Sequence, residues 1–277
     1  MTKDVGDLSR SRVQDLQNIV YEDIQTRLMI RDVHLAIARN RLKLLSGLLD
    51  SGSLLEIGCA TGEFLELAAQ SGFETLGVDA SDIYVDYARE RGIPIFHGRL
   101  EDADLQKGSF DAVALFHLIE HIEDPAPFLT QLGDLLRPSG YIFIATPNLP
   151  ASTHKLLGFR HPNFHQEDHL YFFSAQTLKA LLLNCGFDEV TTHTLEHPHA
   201  VFTSLYGLMA RSMKKTKNGS TTPSESGFRT SPLRRAMKRT PFLAATVLRP
   251  LLRTYGRRVE KRGLGHELIV LARRAQS

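Results

Sequence analysis

The chain has 277 residues, of which 42% are hydrophobic and 23% charged, an ordinary globular composition with room for one sizeable α/β domain and an elaboration. No run approaches the roughly 20 apolar residues that cross a bilayer, and the N-terminus lacks a signal-peptide pattern, so we expect a cytoplasmic protein. Cys59 and Cys185 are isolated, which excludes a disulfide framework and a cysteine zinc site.

Charge is distributed unevenly along the chain. Residues 1–200 contain 16 Lys and Arg against 28 Asp and Glu, a net of −12, whereas residues 201–277 contain 17 against 3, a net of +14. This asymmetry predicts an anionic partner for the basic segment, which could be a membrane surface, RNA or the acidic body itself.

The pattern of apolar residues predicts a helical start followed by strands that alternate with helices. Apolar positions at three- and four-residue steps indicate helix over about residues 7–49. Alternating strands and helices are typical of a doubly wound, Rossmann-like α/β fold with a seven-stranded, mostly parallel sheet. The predicted strands are 54–57, 75–79, 93–97, 110–116, 141–146, 189–194 and 267–272, and the later helices are 63–70, 83–91, 125–136 and 175–184.

This order of elements predicts three parts. Residues 1–50 form a helical lid, and residues 51–196 plus 266–277 form the α/β domain that binds the ligand. Residues 197–265 form a basic helical insertion before the last strand, with a mobile Ser-, Lys- and Pro-containing segment near 214–232.

A glycine loop and a downstream acid predict a nucleoside-cofactor site. Gly58 and Gly62 lie where a strand turns into a helix, whose first N–H groups lack partners. Ala60 occupies the middle position that glycine fills in most dinucleotide binders, which weakens a pyrophosphate interpretation. Asp79 follows Gly58 by 21 residues and ends the next strand, where a carboxylate can accept hydrogen bonds from ribose hydroxyls. Nicotinamide and adenosyl cofactors both remain open at this point.

Further motifs give the chain a family resemblance. It resembles the class I S-adenosylmethionine-dependent methyltransferases, specifically the branch that includes the ubiquinone-pathway O-methyltransferases, over about residues 40–195 plus the last strand. Two departures are Ala60 in place of a common glycine and the long insertion. The matching segments are Glu56-Ile57-Gly58-Cys59-Ala60-Thr61-Gly62, Gly77-Val78-Asp79, Gly108-Ser109-Phe110-Asp111-Ala112-Val113, Leu118-Ile119-Glu120-His121-Ile122-Glu123-Asp124-Pro125 and Leu136-Arg137-Pro138-Ser139-Gly140.

The resemblance implies S-adenosyl-L-methionine as the cofactor and assigns residues to it. The glycine loop would face its methionyl part, and Asp79 would bind its ribose. An arginine before the loop would reach its carboxylate; Arg41 fits this role, Arg39 fits nearly as well, and an exposed helical arginine is an equal alternative. The implied cofactor residues are Arg41, Glu56, Gly58, Cys59, Ala60, Gly62, Asp79 with Ala80 and Ser81 beside it, Leu100 and Glu101 flanking the adenine, and Phe116 and His117 closing the pocket.

A His-x-x-Glu-His cluster follows the fourth strand, at the edge where open α/β sheets carry their active sites. We predict an acid/base or substrate-contact role for its members, His117, Glu120 and His121. Some related O-methyltransferases carry a metal-binding Glu-x-x-Glu-His there. Here we expect no metal, although the same three residues with His169, or with His165 nearby, are weak candidates for its ligands. A purely structural role in the loop is the other alternative.

The sequence therefore predicts a methyltransferase that acts on a hydroxyl of a small or lipid-linked acceptor, quinone-like or saccharide, by direct in-line transfer. The alternatives are a nicotinamide-dependent oxidoreductase and a non-catalytic S-adenosylmethionine-binding module. Residues 233–262 combine Arg with apolar side chains, which is typical of interfacial helices and predicts a peripheral contact with an anionic inner-membrane face. A lid packed on the domain explains the same pattern, and nucleic acid is disfavoured because no stacking aromatic residues are interleaved.

Overall fold

The computed structural model describes residues 24–158, 168–196 and 249–276. The described helices are α1 (Ile24–Met29), α2 (Arg31–Leu45), α3 (Glu63–Gln70), α4 (Asp82–Glu90), α5 (Pro125–Leu135), α6 (Ser152–Leu157), α7 (Ala175–Asn184) and α8 (Arg249–Lys261), with short 3-10 helices at Leu100–Asp102 and Ile119–His121. The strands are β1 (Gly52–Ile57), β2 (Phe73–Asp79), β3 (Ile95–His97), β4 (Phe110–Phe116), β5 (Leu136–Pro147), β6 (Phe187–Leu195) and β7 (Glu267–Arg274).

The strands form one seven-stranded sheet in the order β3-β2-β1-β4-β5-β7-β6. β1 pairs in parallel with both β2 and β4, so Ile57 lies level with Val78 on one side and with Leu115 on the other. Because these strands end together, the residues that follow them share one edge of the sheet. The predicted doubly wound, mostly parallel fold is confirmed.

The chain divides into two compact units. The first contains Lys179–Thr191 and the described residues of Met1–Ile144 and Leu271–Ser277. At its centre, β4 is apolar and buried without alternation from Ala112 to Phe116, as expected for a parallel strand covered on both faces. Fully or almost fully buried side chains there include Leu45, Leu54, Leu55, Leu65, Val113, Leu115, Leu129, Leu132, Ile142 and Phe143.

The second unit comprises Ala145–Leu178 and Thr192–Val270, as far as these residues are described. Asn148, at its start, holds the turn between α8 and β7: its side-chain amide donates to the carbonyls of Gly263, at 3.1 Å, and Gly265, at 2.8 Å. The hydroxyls of Ser152 and Tyr255 are hydrogen-bonded at 2.6 Å. These contacts fasten α8 to the segment that follows β5.

Some expectations differ from the structure or lie outside it. β5 begins at Leu136 rather than at residue 141, because the turn-like Pro138-Ser139-Gly140 stays in the strand, with Ser139 at φ 65°. The predicted helix over residues 7–23, the mobile segment 214–232 and most of the basic insertion lie outside the described residues, as does His165. Within the described part of the chain, no helix is long and apolar enough to span a membrane. The three-part domain division stays a prediction.

Candidate active site

The loop between β1 and α3 has a left-handed backbone at three positions. Gly58, Ala60 and Gly62 have φ values of 71°, 47° and 76°. A Cβ on Gly62 would also stand 2.8 Å from Cδ1 of Ile93, so glycine is required there on both grounds. Ala60 adopts a conformation that costs an L-residue about 1–2 kcal/mol. The loop therefore keeps a tight turn that carries the chain directly into the N-terminus of α3.

Asp79 ends β2 beside this loop and is oriented by the backbone. Its Oδ2 accepts a hydrogen bond from the Ala60 N–H at 2.7 Å, and its Oδ1 accepts one from the Ser81 N–H at 2.9 Å. Burial raises the pKa of Asp79, and the two backbone hydrogen bonds oppose that rise. A carboxylate accepts about four hydrogen bonds, so each oxygen retains capacity for a ligand hydroxyl.

Glu56 and Arg41 are an oppositely charged pair of residues close to the glycine loop. Glu56 is 4% exposed, and its Oε2 has no hydrogen-bond partner among the described residues. Burial raises the pKa of Glu56 well above its ordinary value, and the charge of Arg41 opposes this. Arg41 lies with Cζ 4.2 Å from the ring centroid of Phe116. Arg39 is exposed on the same helix, so of the two arginines Arg41 is the one directed into the site.

Phe116, the last residue of β4, belongs to a buried aromatic cluster. Its ring meets Phe64 edge-on at 4.8 Å and Phe143 at 5.1 Å. Cys59 is buried beneath the loop, where a Cβ on Gly77 would stand only 2.5 Å from its Sγ. The loop thus rests on a close-packed apolar base.

The segment predicted to flank the adenine, Leu100 and Glu101, comes soon after β3, and the start of this segment lies next to Asp79. The Gly98 N–H donates to the Asp79 carbonyl at 3.0 Å, which brings the segment after β3 next to the end of β2. Leu100 is buried and Glu101 exposed on the 3-10 helix that follows, and Ala80 is exposed. The adenine contacts of these residues stay a prediction.

Sequence reasoning missed a set of N-terminal residues that cover the loop. Arg27 Nε donates to Thr61 Oγ1 at 2.6 Å, and Arg27 Nη2 donates to Glu63 Oε2 at 3.2 Å. His34 lies in the electrostatic field of Arg27, Glu63, Arg41 and His117. Burial and the arginines lower the pKa of His34 to about 4, so its imidazole is neutral. The seven-residue spacing of Arg27, His34 and Arg41, which places side chains on one helical face, was the available signal.

His117 and Glu120 form a pair just after β4. His117 Nδ1 lies 3.4 Å from Glu120 Oε1, with the imidazole 45% exposed and the carboxylate 1% exposed. Burial raises the pKa of Glu120, but the contact with His117, helped by the backbone and by His121, outweighs burial, and the pKa lies below its ordinary value. His117 has φ 53°, an unusual conformation for a non-glycine residue that often marks functional positions. The predicted acid/base or substrate-contact role of these residues stays a prediction.

The other two members of the predicted cluster are His121 and His169. His121 ends the 3-10 helix Ile119–His121, is half-buried, and donates its backbone N–H to the Leu118 carbonyl at 2.9 Å. His169 belongs to the second unit, where its ring lies 6.0 Å from that of Phe172. A metal at this cluster stays a weak hypothesis.

The family model described as a methyltransferase domain matches residues 29–193, more than half of the chain. The chain belongs to this methyltransferase-domain family. The match begins at the end of α1 and closes within β6, so it includes the glycine loop, Asp79 and the His117–Glu120 pair.

Named relatives agree with this family. A probable S-adenosylmethionine-dependent methyltransferase of Mycolicibacterium smegmatis is 35% identical over 97 residues, covering 34% of this chain and 38% of that protein. The ubiquinone biosynthesis O-methyltransferase of Caulobacter vibrioides is 36% identical over 103 residues, covering 35% and 41%, and that of Leptothrix cholodnii is 26% identical over 144 residues, covering 42% and 61%. The chain spans 38–61% of the length of these relatives.

Solved structures share the fold. The crystal structure of a possible histamine N-methyltransferase from Thermotoga maritima has a TM-score of 0.60 at 17% identity, covering 94% of this chain and 99% of that one. Phosphoethanolamine N-methyltransferase 2 of Haemonchus contortus, in complex with S-adenosyl-L-methionine, has a TM-score of 0.53 at 16% identity, covering 86% and 53%. None of these named matches supports the oxidoreductase alternative.

The residues of this methyltransferase domain fit S-adenosylmethionine, the cofactor of the family. Glu56 Oε2 is a buried acceptor without a hydrogen-bond partner in the described part of the chain, as a site for an ammonium group requires. Asp79 retains acceptor capacity for ribose hydroxyls. The first N–H groups of α3 have no acceptor within the helix, and together with Arg41 they suit a carboxylate.

Proposed function

We propose that the protein is an S-adenosylmethionine-dependent methyltransferase that methylates a hydroxyl of a small or lipid-linked acceptor. A quinone-like ring or a saccharide is the class of acceptor that fits this chemistry. The observation that carries the proposal is Asp79, whose carboxylate is fixed by the N–H groups of Ala60 and Ser81 beside a left-handed loop. The ubiquinone O-methyltransferases among the relatives support an oxygen acceptor.

The chain's own residues divide the work between binding and proton transfer. Asp79 accepts the ribose hydroxyls, Glu56 accepts the ammonium group, and Arg41 with the α3 N-terminus holds the carboxylate. When bound, S-adenosylmethionine supplies a methyl group on a positively charged sulfur, which is already activated. The principal task of the protein is then to hold and align the acceptor oxygen, which can supply much of the rate.

His117 is the residue placed to remove the acceptor proton. A buried carboxylate beside Nδ1 selects the tautomer that carries the Nδ1 proton, so Nε2 has the lone pair that takes the hydroxyl proton. The same carboxylate stabilises the imidazolium that forms, because its pKa lies low enough to keep it ionised. This arrangement also argues against a non-catalytic binding module, which needs no ionised partner for a solvent-accessible histidine.

Calorimetry with S-adenosylhomocysteine tests the cofactor site. We expect Asp79→Ala to weaken binding by about 10- to 100-fold, because it removes two hydroxyl acceptors and the anchor of the loop. Asp86→Ala, on the exposed face of α4, is the matched control and should bind as the wild type does. Equal affinity of the two variants would show that the cofactor site lies elsewhere.

The second part of the proposal concerns residues 233–262. We propose that this basic segment lies on the cytoplasmic face of an anionic membrane. Within the described residues its supporting feature is α8, where Gly256 and Val259 are buried and Arg257, Arg258 and Lys261 are exposed. Such a basic exposed face attracts anionic headgroups and would bring a lipid-linked acceptor to the enzyme. Residues 233–248 lie outside the described part of the chain.

Co-sedimentation with vesicles containing phosphatidylglycerol tests this part. We expect binding at low salt that decreases with added salt and with replacement of all three basic residues by glutamine. Neutral phosphatidylcholine vesicles are the control. If the wild-type protein stays in the supernatant with anionic vesicles at low salt, the membrane proposal is wrong and α8 is better explained as a lid.

A further inference from the structure

Glu63 places a negative charge at the point where the site must accept another. It is the first residue of α3, directly after the glycine loop, and is 4% exposed. A carboxylate is well placed at a helix N-terminus as far as the helix dipole is concerned. However, a ligand carboxylate at the same N-terminus would meet the like charge of Glu63 in a poorly solvated setting. The site therefore needs a positive charge that offsets Glu63.

Arg27 supplies that charge through a short network. Its Nη2 donates to Glu63 Oε2 at 3.2 Å and its Nε to Thr61 Oγ1 at 2.6 Å, while the Thr61 hydroxyl donates to the Glu63 carboxylate at 2.7 Å. The guanidinium also lies 5.4 Å from the ring centroid of Tyr84 on α4. Arg27 thus touches the elements that follow both β1 and β2.

A second ion pair, one helical turn further along, has a different task. Arg31 Nη2 donates to Glu66 Oε2 at 2.5 Å, and Arg91 Nη2 donates to Glu66 Oε1 at 2.5 Å. Glu66 is one-quarter exposed and lies three residues beyond Glu63 on α3. Arg31 Nε also lies 3.9 Å from Glu63 Oε1, a longer contact than that of Arg27. The two Glu66 ion pairs hold the N-terminal helices on α3, so replacing Glu66 tests packing while Glu63 and Arg27 stay in place.

We propose that Arg27 is a positioning residue for the cofactor, which offsets the charge of Glu63 so that the loop can accept the amino-acid half of S-adenosylmethionine. The inference rests on the proposed function. It assigns Arg27 no contact with the reacting atoms. Without Arg27, Glu63 retains the Thr61 hydrogen bond and a longer ion pair with Arg31, at 3.9 Å, so its charge is less well offset. Repulsion between Glu63 and the ligand carboxylate then lowers affinity for that half of the ligand alone.

Two ligands separate this role from a structural one. S-adenosylhomocysteine carries the amino-acid carboxylate, whereas 5′-methylthioadenosine has the same nucleoside without it. We expect Arg27→Gln to weaken S-adenosylhomocysteine by about 10- to 100-fold and 5′-methylthioadenosine by less than about threefold. Glu66→Gln, which removes the neighbouring ion pairs, is the matched control and should change neither affinity by more than about threefold.

A double variant completes the test. Arg27→Gln with Glu63→Gln should restore binding of S-adenosylhomocysteine to within about fivefold of the wild type, because the unbalanced charge is gone. Thermal melting of each variant checks that it is folded. Equal loss of both ligands in Arg27→Gln, or no recovery in the double variant, would overturn the proposal. If the wild type binds neither ligand, the proposed function itself fails, which is a distinguishable result.

Discussion

Oε1 of Glu120, a carboxylate that is 1% exposed, lies 3.4 Å from Nδ1 of His117, an imidazole that is nearly half exposed. A buried, ionised partner of this kind fixes the ring orientation and stabilises its protonated form, while the exposed ring remains accessible to a substrate. The pair therefore predicts that His117 is a general base and that its rate of proton transfer depends on Glu120.

Replacing the carboxylate should affect turnover rather than cofactor binding. We expect Glu120→Gln to lower kcat by about 10- to 100-fold with less than a threefold change in the KM for S-adenosylmethionine. The acidic limb of the pH–rate profile should move to lower pH, because the imidazolium loses its anionic neighbour. The assay is methyl transfer to the dihydroxybenzene that the wild type methylates best. Glu123→Gln, on the exposed surface three residues later, is the control, and an equal effect there would refute the dependence.

The left-handed backbone at Ala60 predicts a stabilising substitution. Ala60→Gly should raise the free energy of unfolding by about 0.5–1 kcal/mol, because relief of the φ 47° conformation exceeds the added entropy of the unfolded chain. Ala69→Gly, on the exposed face of α3, should lower it by about 0.5–1 kcal/mol. Urea denaturation measures both, and the same sign for the two variants would contradict this account of the loop.

The closeness of Gly77 and Cys59 predicts a steric penalty with a partial rescue. Gly77→Ala places a Cβ 2.5 Å from Cys59 Sγ and 2.8 Å from Leu65 Cδ1, so it should lower the unfolding free energy by about 1–3 kcal/mol. The double variant with Cys59→Ala removes the nearer clash and should be more stable than Gly77→Ala alone. A double-mutant cycle by thermal melting measures this coupling, and strictly additive effects would show that the two sites are independent.

Glu196 makes stability depend on pH. Burial, together with the negative charge of Glu260, raises the pKa of Glu196 from 4.5 to about 7. Glu260 Oε1 lies 2.8 Å from the Glu196 backbone nitrogen. The folded state therefore holds a proton that the unfolded state releases, so stability declines as pH rises from 4.5 through 7. The full penalty above that window is on the order of 3 kcal/mol.

Glu196→Gln should remove most of this decline. We expect the variant to exceed the wild type in unfolding free energy at pH 8 and to match it near pH 4.5. Glu74→Gln, an exposed change on β2, should follow the wild-type curve. Urea titrations at several pH values provide the measurement. A parallel offset at every pH would mean that the substitution acts through packing instead of ionisation.

Local sequence patterns predicted the elements that border the site. β4 (Phe110–Phe116), α3 (Glu63–Gln70) and α7 (Ala175–Asn184) have the predicted bounds, because a glycine or serine lies within two residues of at least one end of each. The early start of β5 was missed, because Pro138-Ser139-Gly140 reads as a turn unless tertiary partners hold it extended. Arg137 Nη1 lies 2.5 Å from Asp111 Oδ2, and such a contact has no local signature.

The site shows the same division between local and tertiary information. Glycine loops and strand-ending acids have fixed spacing, so Gly58, Gly62 and Asp79 could be predicted from the sequence. The pairing of Arg27 with Glu63 joins residues 36 positions apart through helix packing, and no local pattern specifies it. The sequence left Arg39 and Arg41 as two candidates for the arginine of the site. Only the structure distinguishes them, because Arg39 is exposed and Arg41 lies over the ring of Phe116.

The position of β7 in the sheet bears on how the protein folds. β7 lies between β5 and β6, yet its residues follow β6 only after a long intervening segment. Until β7 (Glu267–Arg274) pairs with them, β5 and β6 each have an unpaired edge. Unpaired strand edges promote aggregation between chains. Pairing between strands so distant in sequence is also slow, because bringing them together costs chain entropy before any strand contact forms. Expression at low temperature or with a chaperone should therefore improve the yield of folded protein.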